Sequence, residues 1–247
     1  MEDVSPKKAD TAPPMPGAVW LRERPPRRGD RGLTRGAIAT ETVRLLDRAG
    51  PAGLSMRALA DALGVHATTL YWHVAARDDL LDLALDAVFA EIPLPAAHAD
   101  DWGDDVRHFM TALRHALLRH PWSGALAGSR PLLGPEALAR SEFVYAALSG
   151  AGFSGNALAA SAAAISNLVI GSVAAESAWH HDAEATARVA MHQHLEQRAE
   201  RYPTLAGLQL EGGRWDELFA DAAETFLLGL RCRAGEITAP GPRAAPR

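Results

Sequence analysis

The sequence predicts an all-α protein in two parts, a three-helix unit built on a helix-turn-helix and a larger helical domain. Three observations carry this. Apolar residues recur at intervals of three and four along most of the chain, and no strand-like alternation of Val, Ile and Thr stands out. The stretch Leu54–Val74, L-S-M-R-A-L-A-D-A-L-G-V-H-A-T-T-L-Y-W-H-V, reads as two short helices around a tight turn. The sequence I-P-L-P at Ile92–Pro95 then breaks the helical pattern and marks a boundary. The expected organisation is a disordered basic arm over 1–32, a helix-turn-helix unit over 33–92, a helical domain over 96–235 and a disordered tail over 236–247.

In chain order, residues 1–32 are rich in Pro and charge and lack the apolar surface to fold alone. Two readings stay open for them, a solvated tail or a basic arm that reaches DNA backbone or minor groove. The first helix runs from its cap Thr34 to Ala49, with Ile38, Thr42, Leu45, Leu46 and Ala49 inward, and G-P-A-G at Gly50–Gly53 ends it. Ser55 caps the next helix, Leu59, Ala60 and Leu63 line its inner face, and Gly64 supplies the left-handed turn that leaves it. Val65 plugs the corner, and a second short helix begins near His66 with Leu70 and Val74 inward. Trp72 is expected to alternate inward and pack the small core.

A helical hairpin of this length could be ordinary core. The outer face of its second helix argues otherwise. His66, Ala67, Thr68, Thr69, Tyr71 and His73 offer short donors, acceptors and methyls with no acidic residue, which suits phosphates and base edges. Charge points the same way. The net charge is −5, yet residues 21–77 hold ten Arg against five acids, and residues 78–247 hold 13 Arg against 22 acids. A basic N-terminal third on an acidic body is the footprint of a chain that orients on DNA.

A further helix spans about Arg77–Glu91, with Asp78 and Asp79 in its first turn, where they favour the helix dipole. Asp100 or Asp101 opens a helix from Trp102 to Arg119, and a short helix and bend follow over Trp122–Pro131. Gly134-Pro135 starts another helix that ends at Gly150 or Gly152. Ser154 caps a long Ala/Ser-rich helix to about His180, Ala183–Arg201 forms the next, and Arg214–Ala234 is the last.

Composition excludes several classes. One cysteine, Cys232, allows no internal disulfide and no Cys-based zinc cluster. No signal peptide is evident, and no apolar run reaches the roughly 18 residues of a membrane span, so a cytoplasmic chain with no membrane partner is expected. Among the ten histidines no His/Glu/Asp set has a convincing ligand spacing, so no metal and no cofactor are expected. There is no Gly-rich phosphate loop, no G-x-S-x-G and no H-E-x-x-H, so no catalytic residue is assigned.

The run from Leu33 to Ile92 resembles the N-terminal domain of the tetracycline-repressor (TetR) family over about sixty consecutive residues. The residues that carry the likeness are G-L-S-M-R-A-L-A-D-A-L-G-V, T-L-Y-W-H-V and R-D-D-L-L-D-L-A-L. Beyond Ile92 it rests on helix order and on the R-P, G-F-S-x-N-A-L and W-x-x-L-F pieces. The resemblance implies a ligand-binding and dimerisation role for the second domain. It places Arg57, Ala67, Thr68, Thr69, Tyr71 and His73 at the major groove or its phosphates, and Arg77 on phosphate. Arg57 is the best reader of a base, since its guanidinium can hold guanine through two hydrogen bonds. Ala67-Thr68-Thr69 departs from the Gln-Pro-Thr of the tetracycline repressors, and Ala125 to Gly128 lacks their ligand histidine, so neither their operator nor tetracycline is expected.

Two helices look built for pairing. Leu158, Ala162, Ile165 and Val169 stripe one, and Trp215, Leu218, Phe219, Ala222 and Phe226 stripe the other. A wide stripe is core or interface, and the resemblance favours a four-helix homodimer contact. Candidate effector residues are Phe109, Leu113, Trp122, Val144, Asn167 and Ile170, with Asn167 either in a helix–helix hydrogen bond or on a ligand. The expected function is a homodimeric repressor released from a palindromic double-stranded operator by a small molecule. The rivals are an enzyme acting on DNA, for which no carboxylate cluster is found, and a helical scaffold that binds a protein.

Overall fold

The structure, a computed structural model, describes residues 15–22, 33–179, 181–208 and 215–238. Among the described residues every regular element is a helix. Two compact units emerge, the first comprising 1–87 with 130–135 and the second 88–129 with 136–247.

The first unit holds α1 (Ala18–Leu21), α2 (Arg35–Gly53), α3 (Met56–Leu63), α4 (Ala67–Leu70) and most of α5 (Arg77–Ala90). Thr34 caps α2 by accepting from Ala37 N at 3.1 Å, and Ile38, Thr42 and Leu46 are buried. Leu45 is only half-buried and Ala49 is exposed. Gly50 is non-helical inside α2, so the helix kinks where G-P-A-G predicts an end. From α5, Leu80, Leu81, Leu83, Ala84 and Leu85 are all buried, a helix apolar on most of its circumference.

A short helix falls within the segment expected to be a disordered arm. Residues 15–22 contain α1, and Val19 is buried in the first unit. Four residues are too few to show a helical period, and the contacts that hold them lie more than fifty positions away in the chain. Residues 1–14 and 23–32 lie outside the described residues.

The second unit holds α6 (Trp102–Arg119), α7 (Ser123–Ala127), α8 (Pro135–Gly150), α9 (Gly155–Ala178), α10 (His181–Glu196), α11 (Pro203–Ala206) and α12 (Trp215–Thr238). Packing of α6 against α9, α7 and α12 forms its centre, where Val106, Met110, Leu113, Leu117, Ile165, Val169 and Leu227 are buried. Asp101 caps α6 through Gly103 N at 2.8 Å. Ser154 occupies the N-cap position of α9, but its side chain makes no capping hydrogen bond, contrary to the expectation. Helix α12 continues to Thr238, past the expected start of the tail at 236.

One expectation about membranes is corrected. By length and composition α9 is apolar enough to cross a bilayer, although only 28% of its most apolar window is buried. Its Ala, Ser and Gly residues make an apolar helix with little bulk, so one stripe fills the core and the rest stays uncovered.

Candidate nucleic-acid interface

Local chemistry builds the helix-turn-helix. Ser55 accepts from Ala58 N at 3.1 Å and frees α3 from an unsatisfied first turn. At its far end Gly64 takes φ 65°, ψ 31°, where a Cβ is disfavoured. Val65 N then reaches back to Ala60 O at 3.0 Å and closes the corner. Helix α4 is a single turn, Ala67–Leu70, followed by a turn in which His73 N and Val74 N both donate to Leu70 O, at 2.8 and 2.9 Å.

That turn corrects the register of two side chains. Leu70 and Val74 are fully buried as expected, but His73 is 7% exposed and Trp72 is 66% exposed. Near-helical progression puts residues 70, 73 and 74 on one face and 71 and 72 on the other. His73 therefore belongs to the core side, and Trp72 joins Tyr71 on the outer surface. Arg57, His66 and Thr68 are exposed beside them, while Ala67 and Thr69 are half-buried. The outward face thus offers a guanidinium, an imidazole, a hydroxyl and two large aromatics, with no carboxylate among them. Such a surface can accept phosphate charge and fill a groove.

The turn into α5 is fixed by a carboxylate. The sequence places Ala, a poor cap, at residue 76, and Asp79 compensates by reaching back from the third position of the helix. Its Oδ2 accepts from Ala75 N at 2.6 Å and from Ala76 N at 3.4 Å, the acidic half of a capping box. Arg77, expected on phosphate, is exposed and also bonds within the unit. Its guanidinium donates to Leu54 O at 2.9 Å and to Pro51 O, which ties the start of α5 to the connection between α2 and α3. These bonds occupy its Nε and one terminal nitrogen, so Arg77 acts first as a brace.

In the second unit the expected effector residues divide. Phe109, Leu113, Trp122 and Val144 are buried and Ile170 is half-buried, but Asn167 is exposed. The buried stripe of α9 is Ser161, Ala162, Ile165, Val169 and Val173, and Asn167 lies two residues off it, on the far side of the helix. The expected dimer stripes divide as well. Ala162, Ile165, Val169 and Phe219 are buried by the chain's own packing and so belong to the protomer core. Leu158, Trp215, Ala222 and Phe226 are half-buried and Leu218 is exposed, so these keep surface for another contact. Leu168, Ala222, Thr225, Phe226, Gly229, Leu230 and Arg233 line a mainly apolar groove between α9 and α12.

Sequence reasoning missed Arg114. It sits in the inward stripe of α6 with Val106 and Met110 at four-residue spacing, which is the signal that could have found it. Its terminal nitrogens donate to Glu176 Oε2 and Asp216 Oδ1 at 2.6 Å each, and its guanidinium lies 5.1 Å over the Phe219 ring. With Ser172, Ala175, Trp215 and Leu218 these residues line a small cleft. Nearby pairs fasten α12 to α6. Arg231 donates to Asp101 at 2.6 Å and holds that carboxyl below its ordinary 3.8. Arg107 donates to Glu224 and lowers that carboxyl in the same way. Among the described residues no three His, Cys, Asp or Glu side chains gather as a metal-ligand set.

Comparison with known proteins gives this arrangement a family. The sequence model described as "Bacterial regulatory proteins, tetR family" matches residues 38–84. That described as "Tetracyclin repressor-like, C-terminal domain" matches residues 94–232. The chain belongs to the TetR family. It is similar to an HTH-type transcriptional regulator of Saccharopolyspora erythraea, 52% identical over 92% of this chain and 97% of that protein. It is 31% identical to the class C tetracycline repressor protein of Escherichia coli over 62% of this chain and 70% of the repressor. Among solved structures, apo ActR from Streptomyces coelicolor superposes with a TM-score of 0.75 at 28% identity, over 83% of this chain and 97% of ActR. ActR has also been solved with (S)-DNPA and with actinorhodin. The TetR-family chain is therefore a transcriptional regulator with a helix-turn-helix and a C-terminal helical domain.

Proposed function

We propose that this regulator is a homodimeric repressor that holds a palindromic operator and leaves it when a small molecule binds the second unit. The observation that carries the reading is the outward face of the helix-turn-helix, where Arg57, His66, Thr68, Tyr71 and Trp72 are exposed without an acid. One such face makes few base contacts, and a two-fold dimer doubles them on successive major grooves. The uncovered surface of α9 and the exposed Leu218 and Leu228 of α12 support a second copy as the partner. A subunit seated there also removes the need for lipid around α9, in keeping with a cytoplasmic protein.

Release follows from linkage. An effector that binds the DNA-free conformation better by about 1–3 kcal/mol lowers operator affinity by the same factor. Helix α5 crosses the boundary between the units at Ala87–Val88 and is one covalent link between them, the chain crossing again at Ser129–Arg130 and Pro135–Glu136. The ligands in the ActR complexes, (S)-DNPA and actinorhodin, are the first compounds to test. Selection of bound duplexes from a random pool, followed by sedimentation of the complex, tests the reading. A two-fold symmetric site holding two protomers per half-site pair supports it. Recovery of no preferred sequence sinks it.

A further inference from the structure

The segment Met15–Arg22 is fastened to the residues that aim the DNA-reading turn. Arg22 donates through both terminal nitrogens to Asp79, at 2.8 Å to Oδ2 and 2.7 Å to Oδ1. Asp79 is 2% exposed, and the same Oδ2 already accepts from Ala75 N and Ala76 N. One carboxylate therefore joins three pieces: the extension, the turn that follows Tyr71–Val74, and the first turn of α5. A second anchor lies one turn further along α5. Gly17 N donates to Asp82 Oδ2 at 2.7 Å, and Arg130 Nε holds the other oxygen of Asp82 at 2.7 Å. Gly17 adopts φ 83° and is closely packed, since a Cβ there would sit 3.1 Å from Leu133. Val19, between the anchors, is 1% exposed.

A buried carboxylate needs a countercharge. Arg22 is the cation that the structure gives Asp79, in the bidentate geometry that best fixes a carboxylate's orientation. Without it, Asp79 would keep its charge only by turning toward water, away from the two amides it caps. The turn that carries Tyr71 and Trp72 would then lose its hold on α5.

We propose that Met15–Arg22 is an intramolecular strut for DNA recognition, and that Arg22 is a positioning residue acting through Asp79. The segment works on the protein side of the interface, whereas an arm on DNA would work through phosphate. This rests on the DNA-binding reading above, so its test includes a readout that needs no DNA.

Arg22→Met and Arg22→Lys in the full chain are compared by amide hydrogen exchange without DNA and by operator affinity across a salt series. Arg22→Met should speed exchange at Ala75 and Ala76 while Leu59 and Leu46 keep their protection. Operator affinity should fall about threefold to thirtyfold, the range for changes that act through a neighbour. The dependence of log affinity on log salt should keep its slope, because no phosphate contact is removed. Arg22→Lys, which restores the charge without the fork, should recover part of both effects. Unchanged exchange at Ala75 and Ala76 overturns the proposal. So does a slope reduced by about one, which would put Arg22 on phosphate. Loss of protection at Leu59 and Leu46 as well would also overturn it, since Arg22 would then serve the fold at large. If wild-type protein binds no duplex, the proposed function fails, while the exchange data still decide whether the strut exists.

Discussion

Arg114→Met isolates the ion network at the centre of the second unit. The Arg114 side chain is 3% exposed, Glu176 is 14% exposed, and Asp216 is 88% exposed. Truncating one side of a fully buried pair costs about 3–5 kcal/mol, mostly through the charge left without a partner. Here only Glu176 is left in that condition, because Asp216 regains water at almost no cost. Glu176 also keeps some solvent, and the Met side chain fills much of the space over Phe219. The expected loss is therefore about 2–3 kcal/mol. Glu176→Gln should cost about 1 kcal/mol, since Arg114 retains Asp216 and the amide oxygen still accepts. The double variant should be no worse than Arg114→Met alone, a coupling of about 1–2 kcal/mol. Urea unfolding at one fixed protein concentration measures all four proteins, because the proposed dimer would make the midpoint depend on concentration. Losses that simply add would refute the reasoning, for they would mean that Glu176 does not depend on Arg114.

Other consequences follow from the same geometry. Leu218→Glu alters a side chain that the protomer leaves exposed, so it should split the dimer in sedimentation while circular dichroism keeps full helicity; a dimer that survives removes this face from the interface. Gly64→Ala must place a Cβ at φ 65°, and thermal unfolding should show a loss of about 1 kcal/mol; an unchanged midpoint would show that the corner tolerates a side chain. The carboxyls of Asp101 and Glu224 are lowered from 3.8 and 4.5, so their pairs with Arg231 and Arg107 stabilise α12 above those values and fail as pH falls through the lower folded ones. Protection of α12 amides, taken relative to intrinsic exchange at each pH, should therefore fall below about pH 4 in wild type, and much less in Arg231→Met/Arg107→Met. Equal falls in both would leave these pairs without a role.

Where local chemistry decides structure, the sequence was readable. The Ser55 cap, the Gly64 corner and the buried Leu59, Leu70 and Val74 need only spacing and residue type. The outer face is readable except for Trp72 and His73, because α4 lasts one turn and near-helical geometry persists where the sequence suggests a two-residue alternation. Resemblance places Arg77 on phosphate, and in the fold its guanidinium also lies on Leu54 O and Pro51 O, bonds that no local pattern announces. In the second unit, periodicity identified apolar faces without saying what covers them. Ile165 and Val169 therefore read as interface although the protomer buries them, and Asn167 read as enclosed although it is exposed. The anchoring of Arg22 on Asp79 spans 57 positions and rests on one ion pair, for which a sequence has no local signature.

DNA reading by the exposed face of the helix-turn-helix is the central claim. Its most direct test is fluorescence anisotropy of the selected duplex against wild type and the variants Arg57→Ala, Tyr71→Ala, Trp72→Ala and His73→Ala. The first three should each weaken specific binding by about 1–3 kcal/mol with thermal stability unchanged, whereas His73→Ala should lower stability first, since its ring is buried. Wild-type affinity retained by the first three variants, at intact stability, would contradict the assignment of this surface to DNA.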